Sequence, residues 1–390
     1  MADPIVEAVA EAHSTEWASV LAATARVAAD LDLAEDCVQD AYAKALVHWR
    51  ADGVPKKPGA WLTTVATRRA LEHRRRADVA RRKLPLLVLE DDVTDELFPD
   101  DRLRLVFTCC HPALAQEAQI ALTLRLVCGL SSAEIAKAFL VKEATMQARI
   151  TRAKQKIYRS GIAYRIPRTA DFPERIDAVL DVVHLVYTAG HSPRGIDLAR
   201  MIRLLLPDSA EAAGLLALLV LTEARQAARV DDAGRLVLME DQDRAVWDRT
   251  LIAEGLELVP VAVRADGRFG LMAAIAAVHA EAERWEDTDW AEILGLYDVL
   301  LSRWPSPVVA LNRVVALAYV RGPAEALGAL DDLAADPALA TYPYLASTRG
   351  ELLWRTGRAE EARAAYEEAL AFTSDPVEVE FLQRRITRGV

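Results

Sequence analysis

"LSSAEIAKAFLVKEATMQARITRAKQKI", residues 130–157, is the stretch whose reading decides the N-terminal half of the chain. Ser131 and Glu134 stand at capping-box spacing, so a helix is expected to open there with Ile135, Ala136 and Phe139 on its apolar face. It should stop near Leu140. In the helix that follows, Met146, Ile150, Ala153 and Ile157 recur at i, i+4, i+7 and i+11, the rhythm of a buried stripe. Thr145, Arg149, Arg152 and Lys156 run along an adjacent face. Such a face can reach base edges and phosphates: Arg suits bidentate contact with guanine, and Lys attracts phosphate without reading sequence. The pattern is that of a helix-turn-helix, although Leu140 stands where many such turns place a glycine to reach positive φ.

A basic helix of this kind sits oddly in a chain of net charge -11. The acidity is confined to one part. Residues 1–168 hold 25 Lys and Arg against 22 Asp and Glu; the remainder holds 22 against 36. Residues 68–83, "RRALEHRRRADVARRK", carry eight basic and two acidic side chains, a block that either attracts phosphates or is simply solvated. With 390 residues, 52% hydrophobic and 27% charged, the chain has material for several globular cores. Ala, Leu, Glu and Arg dominate and no alternating strand pattern stands out, so the fold class is all-α.

Several function classes are excluded on the same grounds. The longest apolar run, residues 212–221, is roughly half the ~20 residues a membrane span needs, and Asp3, Glu7 and Glu11 occupy the place of a secretory signal. The expectation is a cytoplasmic chain with no membrane partner. Cys37, Cys109, Cys110 and Cys128 form no C-x-x-C pair, which argues against a disulfide framework or a common zinc pattern. A metal at Cys109, Cys110 and His111 would need Cys128 as well. No phosphate loop or acid/base cluster is present, so no catalytic residue, metal or cofactor is assigned and the chain is not expected to be an enzyme.

Upstream, Asp32 and Glu35 have capping-box spacing, and Val38, Ala41, Tyr42, Ala45, Leu46 and Trp49 form the apolar stripe of a helix. Its other face bears Glu35, Asp36, Gln39 and Asp40, either solvated or set to dock a partner. "KKPGAWLTTVATRRALEHRRR" (residues 56–76) follows, with Pro58 near the helix start and Trp61, Leu62, Val65, Ala66 and Leu71 as its apolar set. Arginines crowd its end. Trp61 is either core or a platform beside unstacked bases. Residues 84–101, with two prolines and a dense acidic cluster, read as a linker.

The order of these pieces resembles the extracytoplasmic-function group of sigma-70-type RNA polymerase sigma factors. "LAEDCVQDAYAKAL" looks like the polymerase-binding helix of the first sigma domain, "PGAWLTTVATRRALEHRRR" like its promoter-melting segment, and the opening stretch like the domain that reads the upstream element. The resemblance implies core RNA polymerase and promoter DNA as partners. It assigns Glu35, Asp36, Gln39 and Asp40 to the polymerase, Trp61, Thr64, Arg68, Arg69 and Arg75 to the melted −10 element, and Thr145, Gln147, Arg149, Arg152 and Lys156 to the −35 element. "FTCCHPAL" and "AFLVKEATM" are similar to a branch with a long C-terminal extension, in which the position of Lys142 is often proline. Expected domains are residues 1–84 (region 2), 85–100 (linker), 101–165 (region 4), 166–285 (helical extension) and 286–390 (repeats).

The repeats are read from Trp290 onward. Tyr297, Leu330 and Tyr366 recur at spacings of 33 and 36, around the 34-residue tetratricopeptide period. Such helix pairs stack and leave a groove for a peptide or an intramolecular partner; the alternative is a purely structural bundle. Before them, "RVDDAGRLVLME" (residues 229–240) reads as a turn with a small hairpin. The function expected is promoter-specific transcription initiation with a regulatory C-terminal domain. The alternative is a helix-turn-helix repressor or scaffold that works without polymerase, and a nucleic-acid-processing enzyme lacks a supporting cluster.

Overall fold

The computed structural model describes residues 3–80, 100–139, 141–167, 171–188 and 192–387. These form two compact units, Met1–Pro207 and Asp208–Val390. The all-α expectation holds: among the described residues no strand forms, and one isolated bridge joins Val230 to Leu236.

The first unit opens with α1 (Pro4–Ala28), α2 (Leu31–Asp52) and α3 (Pro58–Ala80), which pack on one another around Val20, Leu21, Val38, Ala41, Trp49, Leu62 and Ala66. The cap of α2 differs from the expectation. Asp30, not Asp32, accepts the Leu33 amide at 2.9 Å. Asp32 already lies inside the first turn, where it meets a lysine described below. Leu46 and Leu71 also depart from their expected burial, being 36% and 42% exposed. Each lies one residue past a buried alanine, about 100° around the helix and off the stripe.

The linker assigned to residues 84–101 falls almost entirely outside the described residues. Beyond it come α4 (Asp101–Cys109) and α5 (Gln116–Leu122), the latter continuing through one π-helical turn, Thr123–Val127. Gly129 ends that turn at φ +72°, and a Cβ there would lie 3.0 Å from His13 and 3.1 Å from Trp17, so glycine is needed for conformation and for space. Then follow α6 (Ser132–Ala138) and α7 (Glu143–Arg159). The capping box at Ser131 and Glu134 is present in both directions, and Met146, Ile150, Ala153 and Ile157 are buried as expected. Leu140, at the joint, lies outside the described residues. Helices α8 (Phe172–Thr188) and α9 (Ser192–Leu205) pack together and complete the unit, with α8 against α4 and α5.

The second unit is a chain of helices: α10 (Ala210–Glu223), α11 (Arg249–Ala262), α12 (Arg268–Glu281), α13 (Trp290–Arg303), α14 (Pro307–Arg321), α15 (Pro323–Leu333), α16 (Pro343–Arg355), α17 (Ala359–Phe372) and α18 (Pro376–Thr387). Each packs on the next, while α10 also packs on α12 and α14 on α16. The pairing seen from Trp290 onward thus continues back to α10. Where α10 meets α12, a Cβ on Gly214 would lie 2.5 Å from the Gly270 nitrogen, so only glycine lets the two backbones approach.

Candidate nucleic-acid interface

Helix α7 divides its residues as an amphipathic recognition helix must. The buried stripe turns toward the unit, and Thr145, Gln147, Arg152 and Lys156 are exposed on the other side. Gln147 donates to the Glu143 carboxylate at 2.9 Å, and Arg152 Nε to the Ala148 carbonyl at 3.1 Å. Arg149 is half-buried. Its guanidinium lies 5.7 Å from the Phe139 ring centroid and 2.9 Å from Glu117 of α5, which orients it at the foot of the exposed row.

On α3, Thr64, Arg68 and Arg75 are exposed, while Trp61 is half-buried with its ring 5.7 Å from Trp49, edge-on. Trp61 is therefore part core and part surface. Arg69 pairs with Asp40 across the α2–α3 contact, and Arg74 donates to the Val27 carbonyl at 2.8 Å, so α3 is pinned along its length to its neighbours. Asp36 and Gln39 on α2 are placed differently from Glu35: both are exposed, and Asp40 is half-buried, whereas Glu35 is buried beside them.

Glu35 is 5% exposed and is the centre of a charge cluster that the sequence did not announce. Lys154 of α7 reaches Glu35 at 2.6 Å and Asp32 at 2.8 Å, and Arg125 from the π turn pairs with the same carboxylate. Burial pulls the Lys154 ammonium down, but Glu35 and Asp32 outweigh it and hold its pKa above the ordinary lysine value. The cluster thus joins the helix expected to dock polymerase to the helix expected to read DNA. The Trp17 indole donates to the Leu126 carbonyl at 3.0 Å, the Tyr164 hydroxyl donates to the Ala22 carbonyl at 2.9 Å, and Arg26 lies 3.4 Å from Asp101. Together these contacts clasp the two parts of the first unit. One signal for the clasp was available: Lys154 lies four residues from Ile150 and three from Ile157, a lysine on the apolar stripe.

Cys109 and Cys110 are buried, and burial pushes the thiols of Cys110 and Cys128 up to about 12. Among the described residues no group of three or more His, Cys, Asp or Glu side chains is placed to hold a metal. No helix of the described residues is long and apolar enough to cross a membrane.

Comparison with known proteins converges on the same parts. Residues 18–79 match the family model for sigma-70 region 2, residues 104–157 that for sigma-70 region 4, and residues 175–263 a family of unknown function, DUF6596. An uncharacterized protein of Rhizobium meliloti (strain 1021) is 41% identical over 382 residues, covering 92% of this chain and 90% of its own. Two solved structures resemble it more distantly. A thermophilic TPR protein of Thermus thermophilus is 20% identical, with a TM-score of 0.40 over 53% of this chain and 97% of its own. The TPR domain of P58(IPK) is 14% identical, with a TM-score of 0.26 over 90% of this chain and 94% of its own. With both sigma regions matched and a relative that spans nearly the whole length, the chain belongs to the sigma-70 family, as an extracytoplasmic-function type with a helical, repeat-like C-terminal extension.

Proposed function

We propose that this sigma factor directs promoter-specific initiation through two surfaces of its first unit and that its C-terminal unit regulates that activity. Asp36, Gln39 and Asp40 dock core RNA polymerase, joined by Glu35 when the clasp is open. Trp61, Thr64, Arg68, Arg69 and Arg75 lie along the melted −10 element. Thr145, Gln147, Arg149, Arg152 and Lys156 read the −35 element. The observation that carries the reading is the exposed polar and basic row on α7, backed by a fully buried stripe inside a matched region 4.

The clasp adds a conformational step to this reading. Two elements some 25 base pairs apart are separated by about 85 Å of duplex at ~3.4 Å per step. A compact unit of this size is only about 45 Å across. It must open for both elements to be engaged at once. Support for a role of the extension comes from the Rhizobium meliloti relative, whose match over 92% of this chain includes it.

The test is transcription in vitro from genomic fragments with purified core polymerase, comparing the full chain with one ending at Pro207. Specific transcripts that need the full chain are expected if the extension supports initiation, and stronger transcripts from the short chain if it inhibits. Equal activity of the two removes the regulatory role. Absence of any polymerase-dependent transcript favours the repressor reading.

A further inference from the structure

Between α10 and α11 the chain makes an excursion, residues 225–248, that does not stay with the two helices it connects. It folds back on itself at Gly234 (φ +75°), where the Asp231 carboxylate accepts the amides of Ala233 and Arg235, the hairpin expected from the sequence. It then runs along the last turns of every second helix. Arg244 donates to the carbonyls of His279 on α12 at 2.7 Å and of Ala282 just beyond it at 2.6 Å. Glu240 accepts from Tyr319 of α14 at 3.1 Å and from Arg355 of α16 at 3.2 Å. Arg384 of α18 donates to the Leu236 carbonyl at 3.3 Å.

The two ends of this excursion are held very differently. Arg244 and Trp247 are buried, and the Trp247 ring packs with Leu221, Ile252 and Ala277. Residues 229–243, by contrast, include Leu236, Val237, Leu238 and Met239, none of them fully buried, and of the four Met239 packs against the Trp247 cluster. Beneath them remains a cavity of about 270 Å³ lined by Leu236, Leu238 and Asp241 on one side and Phe381, Arg384 and Arg385 on the other. Leu236 and Leu238 share a face, as alternate residues of an extended segment do. On the opposing wall Arg384 lies 3.6 Å from Glu380 and Arg385 3.6 Å from Glu351, so each arginine already shares a carboxylate of the same unit.

We propose that the face built by the last turns of α12, α14, α16 and α18 is a docking groove for an extended protein segment with alternating aliphatic residues followed by acidic ones. Residues 235–241, Arg-Leu-Val-Leu-Met-Glu-Asp, are a tethered stand-in that such a partner displaces, while Arg244 and Trp247 keep the anchor. The Glu240 contacts and the underfilled space select the partner: its carboxylate takes the place of Glu240 on Tyr319 and Arg355, and bulkier aliphatic side chains fill the space against Phe381. A tethered competitor acts at an effective concentration in the millimolar range, so the groove is closed to weak ligands and answers strong ones.

The test uses the full chain and a fluorescent peptide with the sequence of residues 235–243. Glu240→Ala, which loosens the stand-in, is expected to bind the peptide at least tenfold more tightly than the unaltered chain by anisotropy. Adding Arg384→Glu to that variant should lose the gain, and a peptide with Lys at its glutamate should not bind. Should Glu240→Ala lose helicity, Glu240→Gln replaces it. In the unaltered chain, saturating peptide should speed tryptic cleavage after Arg235. Equal binding by the two chains, binding indifferent to Arg384→Glu, or no binding to either variant would each overturn the proposal.

Discussion

Replacing Lys154 by Met tests the clasp most directly, because the substitution keeps the length and apolar stem of the side chain and removes only the ammonium. Lys154 is 9% exposed and makes two ion pairs. The pair with Asp32, whose side chain is 61% exposed, contributes little, as solvated pairs do. The pair with Glu35 is buried on both sides, and breaking such a pair costs about 3–5 kcal/mol. Arg125 stays on Glu35 in the variant, so the lower end, about 3 kcal/mol, applies. At 1.4 kcal/mol per decade this shifts the balance between clasped and open forms by about a hundredfold.

Dyes on cysteines placed at Val47 and Tyr158, both well exposed, report that balance by energy transfer, while the buried native thiols of Cys109 and Cys110 react slowly. The variant is expected to lose transfer efficiency and to bind core polymerase more tightly, since apparent affinity rises with the fraction of the open form. Unchanged transfer together with unchanged or weaker polymerase binding would refute the reasoning. The pH dependence has a definite sign. Lys154 has its folded pKa raised above 10.5, so its contribution is complete below that value and is lost as pH rises through the higher one. The clasp should therefore be indifferent to pH near 7 and loosen only in strong alkali.

Three further outcomes can be checked. Arg152→Ala should leave polymerase binding intact, weaken transcription from a −35-dependent promoter, and lower the salt slope of DNA binding by about one if the contact is to phosphate; an unchanged slope and output remove the residue from the interface. Asp36→Ala, at an exposed position, should weaken core binding about fivefold, roughly 1 kcal/mol, without altering DNA affinity, measured by titration of labelled core. In the second unit, burial followed by the charges of Arg225 and Arg244 lowers the His279 pKa to about 4. Its unfolded pKa is 6.5, so its contribution is full above that value and falls as pH drops toward 4, by about 3 kcal/mol. Denaturant midpoints between pH 7 and pH 4 should show that loss in the full chain and much less of it in His279→Phe.

What the sequence revealed and what it concealed divide along a physical line. The helix-turn-helix was legible because a capping box and a buried stripe are local, written within one turn or a few. The cap of α2 was misplaced by two residues because Asp30 and Asp32 are equally good acceptors locally, and only Lys154, over a hundred residues away, decides which is free to cap. Glu35 was assigned to an outward acidic face for the same reason: periodicity places it at the edge of the stripe, and the cations that draw it inward come from two distant elements. The hairpin at Gly234 was readable from its turn residues, whereas its course across α14, α16 and α18 depends on contacts 79 to 148 residues apart.

A buried ion cluster is a suitable device for a contact that has to be both specific and reversible. An all-apolar seam of the same area would be more stable and less particular about register. Lys154 satisfies its charge in only one arrangement, with Glu35 and Asp32 facing it, while the Trp17 and Tyr164 donors each require one backbone carbonyl. In the proposed function, opening lets those groups exchange protein partners for water and would make Glu35 available to polymerase beside Asp36 and Gln39. On that proposal, binding of polymerase would compete for the carboxylate that holds the clasp shut and so couple docking on the clamp to release of the DNA-reading helix. Under this coupling, Arg125→Met should resemble Lys154→Met in transfer efficiency even though Arg125 touches neither DNA nor polymerase in the proposed assignments. If only the lysine variant opens, the cluster is not acting as one unit, and Lys154 must hold the clasp by itself.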